Sequence, residues 1–228
     1  MYFNENKDIF EKFQEKIIHI IVDDFPYKWP NIETENNEQW INENHQRLCI
    51  SRGLEKMSLL DNDLLILSDL DEIPNPNILA NMKNSNDNGK INTLVMDFYY
   101  YNLHSKLVEK WDRCRVFSYK TYKNFNRTFQ ELRDLKPEKF SSDHTCDIQN
   151  GGWHLSYFGD SSFIRNKIMQ FAHQEFNNEM YTNVQTIKER MQNSSDIYNR
   201  PDCYIQKIPL SENTFLPPQH ETYLTKFY

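Results

Sequence analysis

Leu64-Leu65-Ile66-Leu67-Ser68-Asp69-Leu70-Asp71-Glu72-Ile73-Pro74 is the stretch on which the reading of this chain turns. Four consecutive apolar residues between polar flanks read as a buried strand, and Pro74 with Pro76 stops it. Asp69 and Asp71 follow at a spacing of two, which in extended backbone points both carboxylates to the same side. In open α/β sheets, ligands bind in the crevice beyond the carboxyl ends of strands. Two carboxylates there repel each other unless a cation lies between them. Hard ions such as Mn²⁺ or Mg²⁺ take such oxygen ligands and complete their shells with phosphate oxygens and water. The D-x-D pair therefore points to a metal-assisted site for a diphosphate, against the alternative of a solvated turn. An EF-hand would need further oxygen ligands and a central Gly where this stretch has Ile73-Pro74. An aspartyl-phosphate phosphatase would want Gly-Thr where it has Glu72-Ile73.

Outward from that stretch, strands and helices alternate. Lys16 to Val22 is a β-branched run bounded by Asp23-Asp24 and Pro26, and it reads as a buried strand. Pro26 to Asn37 is a loop, and Glu38 to about Met57 turns helical, with Gly53 weakening or ending the helix. A short helix from Asn77 to Met82, strands at Thr93 to Tyr101 and Arg115 to Tyr119, and an extended segment at Gly152 to Phe158 follow. Ser161 or Ser162 then caps a helix carrying Phe163, Ile164, Ile168 and Phe171, and Asn183 to Met191 is the last helix. This alternation predicts an α/β, three-layer domain with a mainly parallel central sheet. It is read as one domain over residues 1–228, with an irregular tail over residues 210–228.

The chain has 228 residues, enough for a continuous core, and its 14% aromatic content excludes a disordered protein. Its formal net charge is −7 and no basic stripe is visible, so no nucleic-acid partner is expected. An acidic protein binds a diphosphate only with a metal or a few local cations. The 4 cysteines, Cys49, Cys114, Cys146 and Cys203, lie far apart, without the close spacing of a zinc or redox motif, and free thiols are the default reading. The longest apolar runs are too short for a membrane span. No N-terminal apolar stretch resembles a signal peptide.

Ser68-Asp69-Leu70-Asp71-Glu72-Ile73-Pro74 resembles glycosyltransferase family 17, whose animal members are β-1,4-mannosyl-glycoprotein 4-β-N-acetylglucosaminyltransferases. Three further stretches fit in the same order: Lys16 to Pro26, the helix with Trp40, Glu43 and Arg47, and Gly152-Trp153-His154-Leu155-Ser156. Phe171 to Phe176 is similar to microbial members. The resemblance implies a GT-A-like fold and inverting transfer of N-acetylglucosamine from UDP-GlcNAc to a glycan acceptor, with Asp69 and Asp71 holding the metal. Family members usually begin with a further strand, helix and strand, so the chain is read as N-terminally shortened. A non-catalytic carbohydrate-binding or interaction module is one alternative, and a metal-dependent phosphohydrolase resting only on the paired aspartates is another. A cytoplasmic microbial or viral setting suits the chain, whereas animal members are held in the Golgi by a membrane helix.

Within that family frame, His154 is the candidate third metal ligand, since many GT-A enzymes use a late His; a His hydrogen-bonded in a packed turn is the alternative. His173 is its competitor. Inverting transfer needs a general base, for which Glu72 and Glu175 are the candidates. Glu72 alternatively holds Arg47 in a structural pair, and Glu175 alternatively is a solvated helix-end residue. Arg47 is expected to orient Asp71 or Glu72 or to contact a phosphate, against an ordinary ion pair with Glu43. Tyr101, at the end of a run of three tyrosines, and Trp153 are the candidate sugar-contacting rings, with core packing as the alternative for Trp153.

Overall fold

The computed structural model describes residues 5–135 and 143–227. The chain divides into two compact units, Met1–Leu59 and Leu60–Tyr228.

In the first unit a 3-10 helix, Lys7–Lys16, gives way at Ile17 to extended backbone. Residues 17–25 form no strand, which corrects the expectation for Lys16 to Val22. The β-branched run has the extended conformation its residues favour, but it finds helices rather than a ladder partner. Ile18, Ile20 and Val22, at alternate positions, line a cavity of ≈ 320 Å³ together with Cys49, Ile50, Gly53, Leu54 and Met57. The helical stretch is broken into α1 (Glu38–Leu48) and α2 (Ser51–Leu54).

The second unit is built on a seven-stranded sheet: β1 (Leu64–Leu67), β2 (Glu72–Pro74), β3 (Ile91–Tyr100), β4 (Ser105–Leu107), β5 (Trp111–Ser118), β6 (Thr145–Ser156) and β7 (Ile205–Lys207). Among the described residues, only β3 and β6 pair in parallel; β1 with β5, β3 with β5, β3 with β4, β2 with β6 and β4 with β7 are all antiparallel. The expected mainly parallel, GT-A-like central sheet is therefore corrected to a mainly antiparallel one. The physical reason lies in β5. Because β5 is antiparallel to both β1 and β3, those two run the same way, as a crossover through α3 (Pro76–Asn84) requires. β5 returns between them and converts one parallel neighbour pair into two antiparallel ones. β2, β4 and β7 have three residues each, too few to show a period.

β3 is the axis of the sheet and is buried on both faces. Leu94 and Met96 pack with Cys114 and Val116, and Phe98 and Tyr100 continue that face toward Ile164, Ile168 and Ile187. On the other face Tyr99 packs with Leu103, Trp153 and Leu155. Burying each such side chain contributes roughly 1.5–3 kcal/mol.

Between Leu94 and Met96 the register shifts against both neighbours, from Ile148 to Gly152 on β6 and from Cys114 to Trp111 on β5. Such bulges re-aim the side chains beyond them, here Trp111, Trp153 and His154. Gly152 sits at φ 149, and a Cβ there would collide with the Ile73 carbonyl. The neighbouring Gly151 would bring a Cβ to 2.7 Å from the Leu94 backbone. Gly152 is thus what lets β2 lie close on β6, and Gly151 lets β6 lie close on β3.

The helices that flank the site are α4 (Tyr119–Phe125), α5 (Phe129–Arg133) and α6 (Ser161–Gln170), followed by α7 (Glu179–Thr182) and α8 (Val184–Asn193). Asp160, not a serine, caps α6 by accepting from Phe163 N. The tail holds a 3-10 turn, Leu210–Glu212, and α9 (His220–Tyr223). Among the described residues, no helix is long and apolar enough to cross a membrane.

Candidate active site

β1 ends at Leu67, and the chain turns through Asp69, Leu70 and Asp71 before β2 pairs with β6. The turn is closed by Glu72 N on Asp69 O at 3.1 Å and by Asp69 N on the Glu72 carboxylate at 3.0 Å. Leu155 N donates to Asp71 O at 2.8 Å and carries the β2–β6 ladder one step into the turn. Asp69 and Asp71 therefore stand in a turn rather than on one side of a straight strand. Each is matched to a different cation: Arg133 with Asp69, and Lys167 with Asp71 at 2.7 Å.

Glu72 is the anchor under this turn. Its side chain is 0% exposed, and Oε1 accepts from Trp111 Nε1 at 2.6 Å and from Arg133 Nη2 at 2.8 Å. Arg133 is equally enclosed, at 5% side-chain exposure, and its guanidinium spans Glu72 and Asp69. It stands in the last turn of α5, a helix set by a capping box between Thr128 and Glu131. Glu72 is thus tied to Arg133 rather than to Arg47, and both of its oxygens are engaged within the protein.

His154 lies opposite Glu72 on β6. Its ring stacks on Phe98, with centroids 4.5 Å apart and planes 8° apart, and Trp111 closes over it at 4.2 Å. Nε2 faces Asp71 Oδ1 at 3.4 Å, while Nδ1 is buried without a hydrogen-bond partner. Lys167 projects from α6 over the Tyr157 ring, 4.9 Å from its centroid, to reach Asp71 Oδ2. Burial by itself would push the Asp71 carboxyl up, but His154 and Lys167 together hold it well below the usual carboxylate range. Asp71 is consequently an anion at neutral pH, with 27% of its side chain open to solvent.

The remaining sequence-based candidates have other partners. Arg47 belongs to the first unit, where it pairs with Glu43 at 2.7 Å. Tyr101 is 1% exposed, and its hydroxyl donates to Ser195 O at 2.8 Å. Trp153 is 2% exposed, stacks on Phe215 and donates to its carbonyl at 3.0 Å. Burial leaves neither ring a surface to offer a sugar. Glu175 is exposed in a 3-10 turn, Gln174–Phe176, and binds His173 Nδ1 at 2.7 Å. Sequence reasoning missed Arg133 and Lys167, and it missed Trp111 as the donor to Glu72.

Asp69, Asp71 and His154 are not residues whose three donor atoms all converge within 4.8 Å. An ion that takes Asp69 Oδ2 displaces Arg133 from that oxygen. The donor chemistry nevertheless suits a hard divalent cation: two carboxylates with open sides, at 43% and 27% exposure, in one short turn. Lys167 beside them adds a positive charge of the kind that phosphate oxygens accept.

Compared with known proteins, residues 1–208 match the family model described as glycosyltransferase family 17. No curated protein and no solved structure matches the chain.

Proposed function

This chain belongs to glycosyltransferase family 17, and on that premise we propose that it moves N-acetylglucosamine from UDP-GlcNAc to a glycan hydroxyl, with inversion, assisted by Mn²⁺ or Mg²⁺ at Asp69 and Asp71. The observation that carries this reading is Asp71: an ionised, partly open carboxylate in the turn between β1 and β2, braced by His154 and Lys167. The chemistry such an ion supplies is neutralisation of charge on the departing diphosphate.

The protein's own residues do the rest. His154 fixes Asp71 from below, clamped between Phe98 and Trp111, and Lys167 offers its ammonium to the diphosphate as a point charge. Arg133 and Glu72 hold the turn in place. In the transfer itself, the acceptor oxygen bonds to the anomeric carbon from the face opposite UDP as the bond to the diphosphate breaks, and a carboxylate takes the acceptor proton. Glu175 is the accessible candidate for that base, whereas the enclosed Glu72 acts by positioning. Tyr101 and Trp153 act through the core that supports β3 and β6.

The test is release of UDP from UDP-GlcNAc in the presence of Mn²⁺ and a panel of glycan acceptors. Acceptor-dependent release that stops with EDTA is expected. No release with any acceptor contradicts the reading. Release undiminished by EDTA contradicts its metal-dependent part and transfers the charge-neutralising role to Lys167.

A further inference from the structure

In the first unit, three potential ligand atoms of mixed softness converge, on residues that the proposed transfer does not use. His45 lies in the last turn of α1, and Cys49 caps that helix four residues later, so both project from one face. Asp24 comes from the extended segment before α1. His45 Nε2 is 3.4 Å from Asp24 Oδ1 and 3.6 Å from Cys49 Sγ, and all three donor atoms lie within 4.8 Å of one another.

The Cys49 Sγ contact has the length of an ordinary sulfur hydrogen bond, in which the thiol or the imidazole donates, whereas the carboxylate contact, at 3.4 Å, is longer than the usual N–H···O range of about 2.7–3.2 Å. Both separations also fit ligands of one shared metal ion. A tetrahedral zinc ion has bonds of about 2.0–2.1 Å to nitrogen and oxygen and about 2.3 Å to sulfur, which gives N···O and N···S edges of about 3.4 and 3.6 Å. The two observed separations are those edges.

We propose that Asp24, His45 and Cys49 form a zinc-binding site separate from the donor-sugar site. Thiolate and imidazole select Zn²⁺ over the hard ions suited to Asp69 and Asp71. The carboxylate is already oriented: Arg52 donates to its Oδ2 at 2.5 Å and to Oδ1 at 2.9 Å. On binding, Oδ1 passes to the metal while Oδ2 stays with Arg52, the kind of outer hydrogen bond that fixes ligand orientation. Phe25 packs beside the imidazole, with ring centroids 6.0 Å apart. Cys49 is buried and Asp24 exposed, and three protein ligands leave the fourth position of a tetrahedral ion to water. Coordination replaces the Cys49 thiol proton, which leaves to water, and uses neutral His45; affinity therefore rises with pH.

The test uses the full chain, stripped of metal and titrated with Co²⁺ and then Zn²⁺. One equivalent of Co²⁺ is expected to give a thiolate-to-cobalt charge-transfer band that one equivalent of Zn²⁺ abolishes. The band is expected to be absent in Cys49→Ser and His45→Gln and unchanged in Asp71→Asn, which keeps this result separable from the fate of the donor-site reading. A second measurement holds even if a variant fails to fold: Zn²⁺, but not Mg²⁺, should slow alkylation of Cys49 in the unmodified protein, followed by peptide mass. Absence of the band, its persistence in both folded variants, or alkylation indifferent to Zn²⁺ would each overturn the proposal.

Discussion

Asp71→Ala is expected to lower kcat/KM for UDP-GlcNAc by roughly 10²–10³-fold, the usual cost of losing a group that stabilises charge developing at the transition state. The substitution removes the carboxylate that both His154 and Lys167 address, and with it one of the two oxygen donors proposed for the cation. The fold should survive. Asp71 and Lys167 each retain contact with water, at 27% and 32% side-chain exposure, so the lost pair is worth about 1 kcal/mol. A kinetic loss of this size, with a denaturation midpoint nearly unchanged, separates a role in transfer from a role in stability. Asp71→Asn should lower kcat/KM in the same direction, because a neutral amide oxygen is a weaker partner than a carboxylate for a divalent cation and for Lys167. A variant that keeps full kcat/KM would remove Asp71 from the chemistry.

Arg133→Met is expected to act in the opposite sense, costing about 3–5 kcal/mol of stability. Glu72 is wholly enclosed, and the guanidinium is its charge partner. Without it, a buried carboxylate is left with the Trp111 indole and the Asp69 amide. Methionine fills much of the volume, so the loss reports the stranded charge rather than a cavity. Urea denaturation of the variant checks the size of the effect. The double variant Arg133→Met/Glu72→Gln should recover a substantial part of it, since it removes the stranded charge as well. Arg133→Lys should restore little, because one ammonium cannot span Glu72 and Asp69 as the guanidinium fork does. A single variant as stable as the parent would show that the cluster does not hold the turn.

The parts of this architecture that were legible beforehand are those with their own local pattern. Leu64–Leu67 was readable as a strand because four apolar residues run between polar flanks, and the α8 region as a helix because Val184, Ile187 and Met191 recur at helical spacing; the α3 helix was expected too, but it is capped by Asn75 and begins at Pro76 rather than at Asn77. Sheet direction was not legible, because it depends on where β5 inserts, and no residue in Trp111–Ser118 encodes its neighbours. Lys16 to Val22 shows the same limit: β-branched residues favour extended backbone, but a strand also needs a partner. At the candidate site, the D-x-D pair and the His after Gly-Gly were visible in the sequence. Their cationic partners were not, since Arg133 reaches Glu72 across 61 residues and Lys167 reaches Asp71 across 96. Tyr101 and Trp153 were drawn toward the sugar by residue type alone, and their burial assigns them to the core.

The most direct test of the central claim is a calorimetric titration of the chain with UDP, in Mn²⁺ and again in EDTA, for the parent protein and for Asp71→Ala. The account predicts binding by the parent protein in Mn²⁺ alone and none by the variant in either condition. Equal affinity in EDTA, or undiminished binding by Asp71→Ala, would contradict it.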